Sequence, residues 1–485
     1  MPATRLDLMA ILPIILLAAG TVVSLIVASL TRRPAVIFSL AGITFACSLA
    51  SLGICMPLIP AQCSDLLILD GLSLFSTGLV LFAALCIVIL AHPYFMKRSL
   101  PAGEFAILLM LATLGSMVLI ASSHFVSLIL GVELIGISLV VMAAYDRQAR
   151  GIEAGFKYLV LSGVSSASLL FGIALLYAGS GGLLLSSAVD SFRQIGEQSP
   201  IHHLGAALLI AGLGFKLALV PFHGWAPDVY EGAPAPVTIF AATVSKAAVI
   251  TVLLRLFPPS VIENDRFLFM MFAALSIASM SLGNLLALRQ KSLKRMLAYS
   301  TIAHNGYLLV ALLSGGVLAQ TAVLLYLFFT VVTNLASFGV ISLLSGDATD
   351  ADDLDGFTGL AWRRPGIALI LSLAILALLG IPLTAGFIAK FSLVAAGVAS
   401  KHLILVLALV VNTAVSAYYY LRVIMTMFKE PGDAPEGVRW PVESRLPMFG
   451  VAIVALQALL LIWIGTAPQY LIDLIKRLLG SPLTG

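Results

Sequence analysis

Apolar runs of about 20 residues recur from one end of this chain to the other, each long enough to cross a bilayer as a helix. Only 10% of the 485 residues are Asp, Glu, Lys or Arg, while 60% are hydrophobic. Soluble domains carry roughly 25% charged residues. A fold with so few charges cannot cover its own surface with polar groups, so its solvent is expected to be lipid. A spanning barrel would show short alternating segments instead, and none are visible.

The pattern predicts an all-α polytopic membrane protein with about 14 spans. They lie near 8–30, 36–56, 72–92, 103–121, 124–145, 157–178, 203–221, 235–256, 267–288, 296–314, 319–345, 367–392, 402–428 and 446–467. The stretch 469–480 reads as an amphipathic helix at the interface. The first apolar run is too long for the core of a secretory signal and is closed by Arg32–Arg33, so it is read as a span. Basic loop residues set the orientation. Of the 27 Lys and Arg, 16 fall on one side, among them Arg32, Arg33, Arg98, Lys157, Lys294, Arg295, Arg439 and Arg445. Seven, including Arg5 and Arg255, fall on the other. The first side is expected to be cytoplasmic, with both termini outside. The longest polar connections, 346–366 and 429–445, are too short for a catalytic domain. Cys47, Cys55, Cys63 and Cys86 lack metal-ligand spacing and read as small buried hydrophobes. A net charge of +4 spread over many loops implies no nucleic-acid surface.

Five charges remain inside spans: Glu133, Lys216, Lys246, Lys390 and Arg422. A charge at mid-bilayer costs about 2.5–3.5 kcal/mol on insertion scales, so it persists only where it faces protein or water and finds partners. Each alone could be a structural ion pair. Three lysines and a glutamate together favour a shared proton pathway, because a dry site makes an ammonium easier to deprotonate and a nearby carboxylate opposes that. Arginine cannot release its proton, and Arg422 reads as an interfacial anchor. Two of these lysines sit beside helix breakers. Lys216 precedes Pro221, Pro227, Pro234 and Pro236, and Gly380 and Pro382 precede Lys390. Broken backbone at membrane depth is tolerated where it lines a cavity or is covered by protein. Two interrupted spans in different halves of a chain point to an ion site between inverted repeats.

Polar residues recur at helical spacing: Ser300, His304 and Tyr307; Thr330, Thr333, Asn334 and Ser337; Asn412, Ser416 and Tyr419. Most are expected to be interhelical hydrogen bonds. His304 and His223 are candidate relays, since imidazole titrates near neutral pH. Glu153 and Lys157 read as a surface i,i+4 pair. No nucleotide loop, haem-ligand pair, iron–sulfur spacing or catalytic triad is visible, so no redox chemistry is expected of this chain itself.

Three stretches resemble the antiporter-like membrane subunits of respiratory complex I, and within them the subunit N (subunit 2) group. They are GFKLALVPFHGWAPDVYEGAPAPVTIFAATVSKAAV (214–249), SLKRMLAYSTIAHNGYLL (292–309) and GVELIGISLVVMAAYDRQARGIEAGFKYLVLSG (131–163). Sibling subunits and cation/proton antiporter subunits typically have HxWLPxAHxxAP where this chain has Trp225-Ala226-Pro227-Asp228-Val229-Tyr230-Glu231-Gly232. The resemblance implies two inverted five-helix repeats, each with a broken helix. Residues 1–102 would form three N-terminal helices, 103–258 the first repeat, 259–428 the second, and 429–485 the last span and interfacial tail. It implies a proton-translocating subunit of an NADH–quinone oxidoreductase, and the proline- and alanine-rich composition and simple length point to a bacterial inner membrane. Glu133 and Lys216 would form the coupling pair, Lys246 the central relay and Lys390 the exit-side donor. The chain would hold no cofactor: FMN, iron–sulfur clusters and quinone would belong to other subunits. Its partners would be those membrane and peripheral subunits and the lipid. The competing expectations are a subunit of a secondary cation/proton antiporter, disfavoured by the 225–232 pattern, and a structural scaffold indifferent to Lys216 and Glu133.

Overall fold

The breakers leave their mark directly in the backbone. In the computed structural model, which describes residues 5–31, 33–98, 100–194, 200–430 and 446–480 (side chains of 5–7 and 194 aside), the apolar runs are helices. Arg32, Arg439, Arg445 and the side chain of Arg5, counted above for orientation, lie outside the described residues. The principal helices of the first half are α1 (Leu12–Leu30), α2 (Pro34–Cys55), α3 (Gly71–Lys97), α4 (Ala102–Ile120), α5 (Phe125–Ala143), α6 (Ala149–Ser180), α7 (Pro200–Leu217), α8 (Trp225–Gly232), α9 (Ala235–Ala242) and α10 (Val244–Leu256). Those of the second half are α11 (Arg266–Ala287), α12 (Leu293–Leu312), α13 (Gly316–Leu344), α14 (Pro365–Leu379), α15 (Ala385–Ala399), α16 (Leu403–Phe428), α17 (Met448–Thr466) and α18 (Gln469–Leu479).

Among the described residues, 12 helical segments are long and apolar enough to cross a membrane, with α9 and α10 counted together. α14 and α15 are shorter apolar helices that together make the expected span near 367–392. α12 has 20 residues but carries Lys294 and Arg295 in its first turn. The chain is a multi-span helical membrane protein. A short hairpin, Ala61–Cys63 paired with Leu67–Leu69, was not expected from the sequence. The four thiols are free, and Cys47 corrects the buried reading: it is exposed on α2.

Burial sorts the helices into an inner axis and an outer layer. The α9–α10 span is wholly buried and α12 nearly so, whereas the most apolar windows of α1, α2, α6, α16 and α17 are no more than a third buried. Exposed Leu, Ile, Val and Phe on those outer helices are what a hydrocarbon solvent requires.

Two spans are broken where Pro and Gly stand. α7 stops as Ala218 enters the left-handed region (φ 56), and its amide bonds back to the Phe215 carbonyl. Pro221 follows, and the Val220 amide donates to Ser279 Oγ of α11. α14 stops at Gly380, whose φ of 89 only glycine adopts without strain. Pro382 and Leu383 complete that turn before α15. A third interruption, at Thr243 between α9 and α10 (φ −121, ψ −79), has no Pro or Gly to announce it.

Candidate functional site

The breaks free backbone carbonyls in the interior, and two of the lysines meet them. Lys246, on the first turn of α10, donates from Nζ to the carbonyl of Leu217, the last residue of α7, at 3.0 Å. Asn305 of α12 donates to the same oxygen at 2.6 Å. Lys390, on α15, donates to the carbonyl of Leu379, the last residue of α14, at 3.0 Å. In both cases an amine caps the end of a half-helix where the peptide dipoles leave partial negative charge. Lys216, Lys246 and Lys390 are 3%, 3% and 6% exposed, so all three amines are held inside the protein.

Lys216 lies near the end of α7, with its amine 5.5 Å from the Tyr158 ring centre and 5.7 Å from that of Phe215. Such faces substitute in part for lost hydration. Trp225 stands on the far side of this cluster. Its indole N–H donates to the Phe215 carbonyl at 2.8 Å, and its ring lies 5.7 Å from the Lys246 amine. Trp225 also packs on Tyr158 and Phe215, with ring centres 4.9 and 5.4 Å apart. Aromatic side chains thus separate Lys216 from Lys246. Glu133, half-buried on α5, is close enough for its charge to act on Lys216 without closing into an ion pair. Its carboxylate accepts a hydrogen bond from Ser166 of α6.

Between Lys246 and the second half lies a small cavity of ≈ 10 Å³, room for roughly one water. Lys246, Thr243, Ser300, His304, Asn305 and Asn334 line it. Asn334 also donates to the Ala242 carbonyl released by the interruption at Thr243. His304 is joined on both ring nitrogens: Nδ1 to the Tyr326 hydroxyl at 2.6 Å, and Nε2 to the Tyr420 hydroxyl at 3.1 Å. Tyr420 continues to Ser300 at 2.5 Å. His304 and Lys390 share the Tyr307 ring, with centroids 5.4 Å apart for the first and the amine 5.3 Å away for the second. Tyr307 and Tyr419 bond to Asn284, which also approaches Asn412. Tyr326, Tyr420 and Asn305 are members of this track that sequence reasoning did not single out. His223 is different. It sits on the turn of the first break, with Nδ1 unpartnered, and no hydrogen bond ties its ring to a lysine.

Arg422 caps α11, donating to the carbonyls of Leu288 and Gln290, which agrees with an anchoring role. Lys294 requires a correction. Counted above as a loop charge, it is 1% exposed and bonds Asp350, the Glu231 carbonyl and the Ala233 carbonyl at 2.7, 3.0 and 2.6 Å. Asp350 also accepts from Arg98 and Tyr94 at 2.8 and 2.6 Å. Burial pushes the Asp350 carboxyl up, but Lys294 and Arg98 more than offset it and hold it below the usual carboxylate range. Nearby, Lys157 bonds Glu153 as expected, at 2.7 Å, and also Asp228 at 2.8 Å. Arg295 joins Asp228 and Glu231. These charges edge a recess of about 180 Å³ at the same end of the molecule.

Residues 122–416 match the family model of the membrane-spanning part of NADH:quinone oxidoreductase and Mrp antiporters. The chain belongs to that family. The subunit N of NADH-quinone oxidoreductase from Methylococcus capsulatus is 41% identical over 98% of this chain and 96% of its own length. That from Ectopseudomonas mendocina is also 41% identical, over 98% and 97%. A chain of respiratory complex I from Thermus thermophilus superposes with a TM-score of 0.81 at 32% identity, covering 95% of this chain and 98% of that one. A chain of the Mrp complex from a Dietzia species shares the fold alone, with a TM-score of 0.85 at 18% identity over 98% and 97%. Both breaks and all three lysines fall within the matched residues 122–416.

Proposed function

We propose that this chain is the proton-translocating subunit N of a respiratory NADH–quinone oxidoreductase, with Glu133, Lys216, Lys246 and Lys390 carrying the translocation. The observation that supports it most is the pairing of each broken helix with a buried lysine amine on its last carbonyl. The subunit N names of relatives at 41% identity favour the reductase over a secondary antiporter. The internal division proposed is the one read from the sequence: 1–102, 103–258, 259–428 and 429–485. The end bearing Arg98, Lys294, Arg295 and Lys157 faces the cytoplasm, both termini face the periplasm, and the membrane is the bacterial inner membrane.

In this reading, quinone reduction occurs in other subunits, which hold the flavin and iron–sulfur centres, and its signal reaches Glu133. Withdrawal of the carboxylate's influence removes what favours the charged form of Lys216. A proton then leaves the Lys216 ammonium for the Lys246 amine once the aromatic layer at Trp225 admits water. From Lys246 it crosses the cavity, with His304 and its tyrosines as relays, to Lys390. Lys390 releases it to the outside. His223 is proposed only as a relay at the first break. Glu133→Gln in the assembled complex tests this reading. Expected is normal assembly, with proton pumping and quinone reduction falling together about tenfold or more. Undiminished pumping would overturn it.

A further inference from the structure

The Lys216 amine rests against Gly136 of α5, which has no side chain to resist it. A Cβ at Gly136 would lie 3.3 Å from Lys216 Nζ, tighter than ordinary contact, and no other neighbour would be so close. Gly136 follows Glu133 by three residues, so both face the same side of α5. Ser166 of α6 donates to the Glu133 carboxylate and holds it. The amine is placed by a gap and the carboxylate by a hydroxyl, and the two charges stay close without touching.

We infer that Gly136 and Ser166 are the positioning residues of the Glu133–Lys216 pair, setting a separation that allows its coupling to be switched. This rests on the proposed role of that pair. A methyl group at 136 would push only the far end of a flexible side chain, which costs the fold little. That far end is nevertheless the group that exchanges the proton, and small displacements of a reacting group can cost orders of magnitude in rate. Removing the Ser166 hydroxyl would leave Glu133 free to close on Lys216 or to swing away. Either outcome locks the pair in one state.

The test uses the assembled complex in proteoliposomes carrying Gly136→Ala, Ser166→Ala, Ser166→Thr or Gly163→Ala. Gly163, on α6, has nothing within 4 Å of an added Cβ and serves as the control. Proton translocation per assembled complex is measured beside NADH–quinone turnover. Expected is full assembly of all four, about a tenfold loss of translocation in Gly136→Ala, a several-fold loss in Ser166→Ala, recovery in Ser166→Thr and no change in Gly163→Ala. The inference is overturned if Gly136→Ala and Ser166→Ala pump like the control. It is equally overturned if their losses follow reduced assembly alone, with normal translocation per complex. If Glu133→Gln also pumps normally, the reading of the pair has failed. If Glu133→Gln is inactive while both positioning variants are normal, only this inference has failed.

Discussion

The first and second broken helices solve the same problem with different resources. At the first, the freed Leu217 carbonyl has two donors, Lys246 and Asn305, and Lys216 stands beside them behind aromatic rings. The turn itself is partly tucked in, with Leu219 and Val220 buried. At the second, Lys390 is the one donor to the Leu379 carbonyl among the described residues, and Ile381, Pro382 and Leu383 are exposed. In the first, the capping amine comes from the next span. In the second, it comes from the other half of the same span. The capping lysines of both breaks, Lys246 and Lys390, follow the proline, whereas Lys216, which precedes Pro221, caps neither carbonyl. The difference between the breaks lies in the number of donors. It makes the second break the more fragile, because one side chain there does the work shared by two at the first.

The largest expected effect comes from loosening both breaks at once. Asp350 holds Lys294, which secures the α8–α9 connection that follows the first break, and it lies on the segment leading to α14. Asp350→Asn leaves two buried cations short of their counter-charge and is expected to destabilise the subunit by about 3–5 kcal/mol, read as lost assembly and lower thermal stability. Because the folded carboxyl lies below its unfolded value, its contribution is complete at neutral pH. It is lost only as acid carries the pH through that depressed value, below about 4. A thermal-stability profile that instead changes near neutrality would contradict this.

Next, Lys390→Ala and Lys246→Ala are both expected to abolish proton translocation, yet to differ in stability. The first leaves the Leu379 carbonyl without a donor, at about 1–3 kcal/mol. The second leaves Asn305 still on Leu217 and costs less. Equal losses in melting temperature would break the comparison. Smaller still, Asn305→Leu removes the auxiliary donor for about 1 kcal/mol while translocation continues through Lys246. A proton-to-electron ratio unchanged from the parent would support that division of labour.

Spans, breaks and buried lysines were legible because each interrupts a local pattern: a charge or a proline in an apolar run stands out by itself. What escaped depends on partners far along the chain. Lys294 sits at a helix start, where a basic residue ordinarily meets water, and only Asp350 and the Glu231 and Ala233 carbonyls make it a buried junction. The interruption at Thr243 carries no breaker, and its freed Ala242 carbonyl is satisfied by Asn334, 92 residues on. Tyr326 and Tyr420 read as ordinary aromatic residues until His304 is found between them. Gly136 was unremarkable among 40 glycines until the Lys216 amine appeared against it. Of the two candidate histidines, the structure ties His304 into the track and leaves His223 apart, a distinction their shared chemistry could not make.

Lys216→Ala in the assembled oxidoreductase is the most direct trial of proton transfer through buried amines. Electron flow from NADH to quinone and acidification across the membrane would be recorded on one preparation. Intact assembly with both activities lost is the predicted result. A variant that still moves protons at the parental ratio, with alanine where the amine had been, would contradict it.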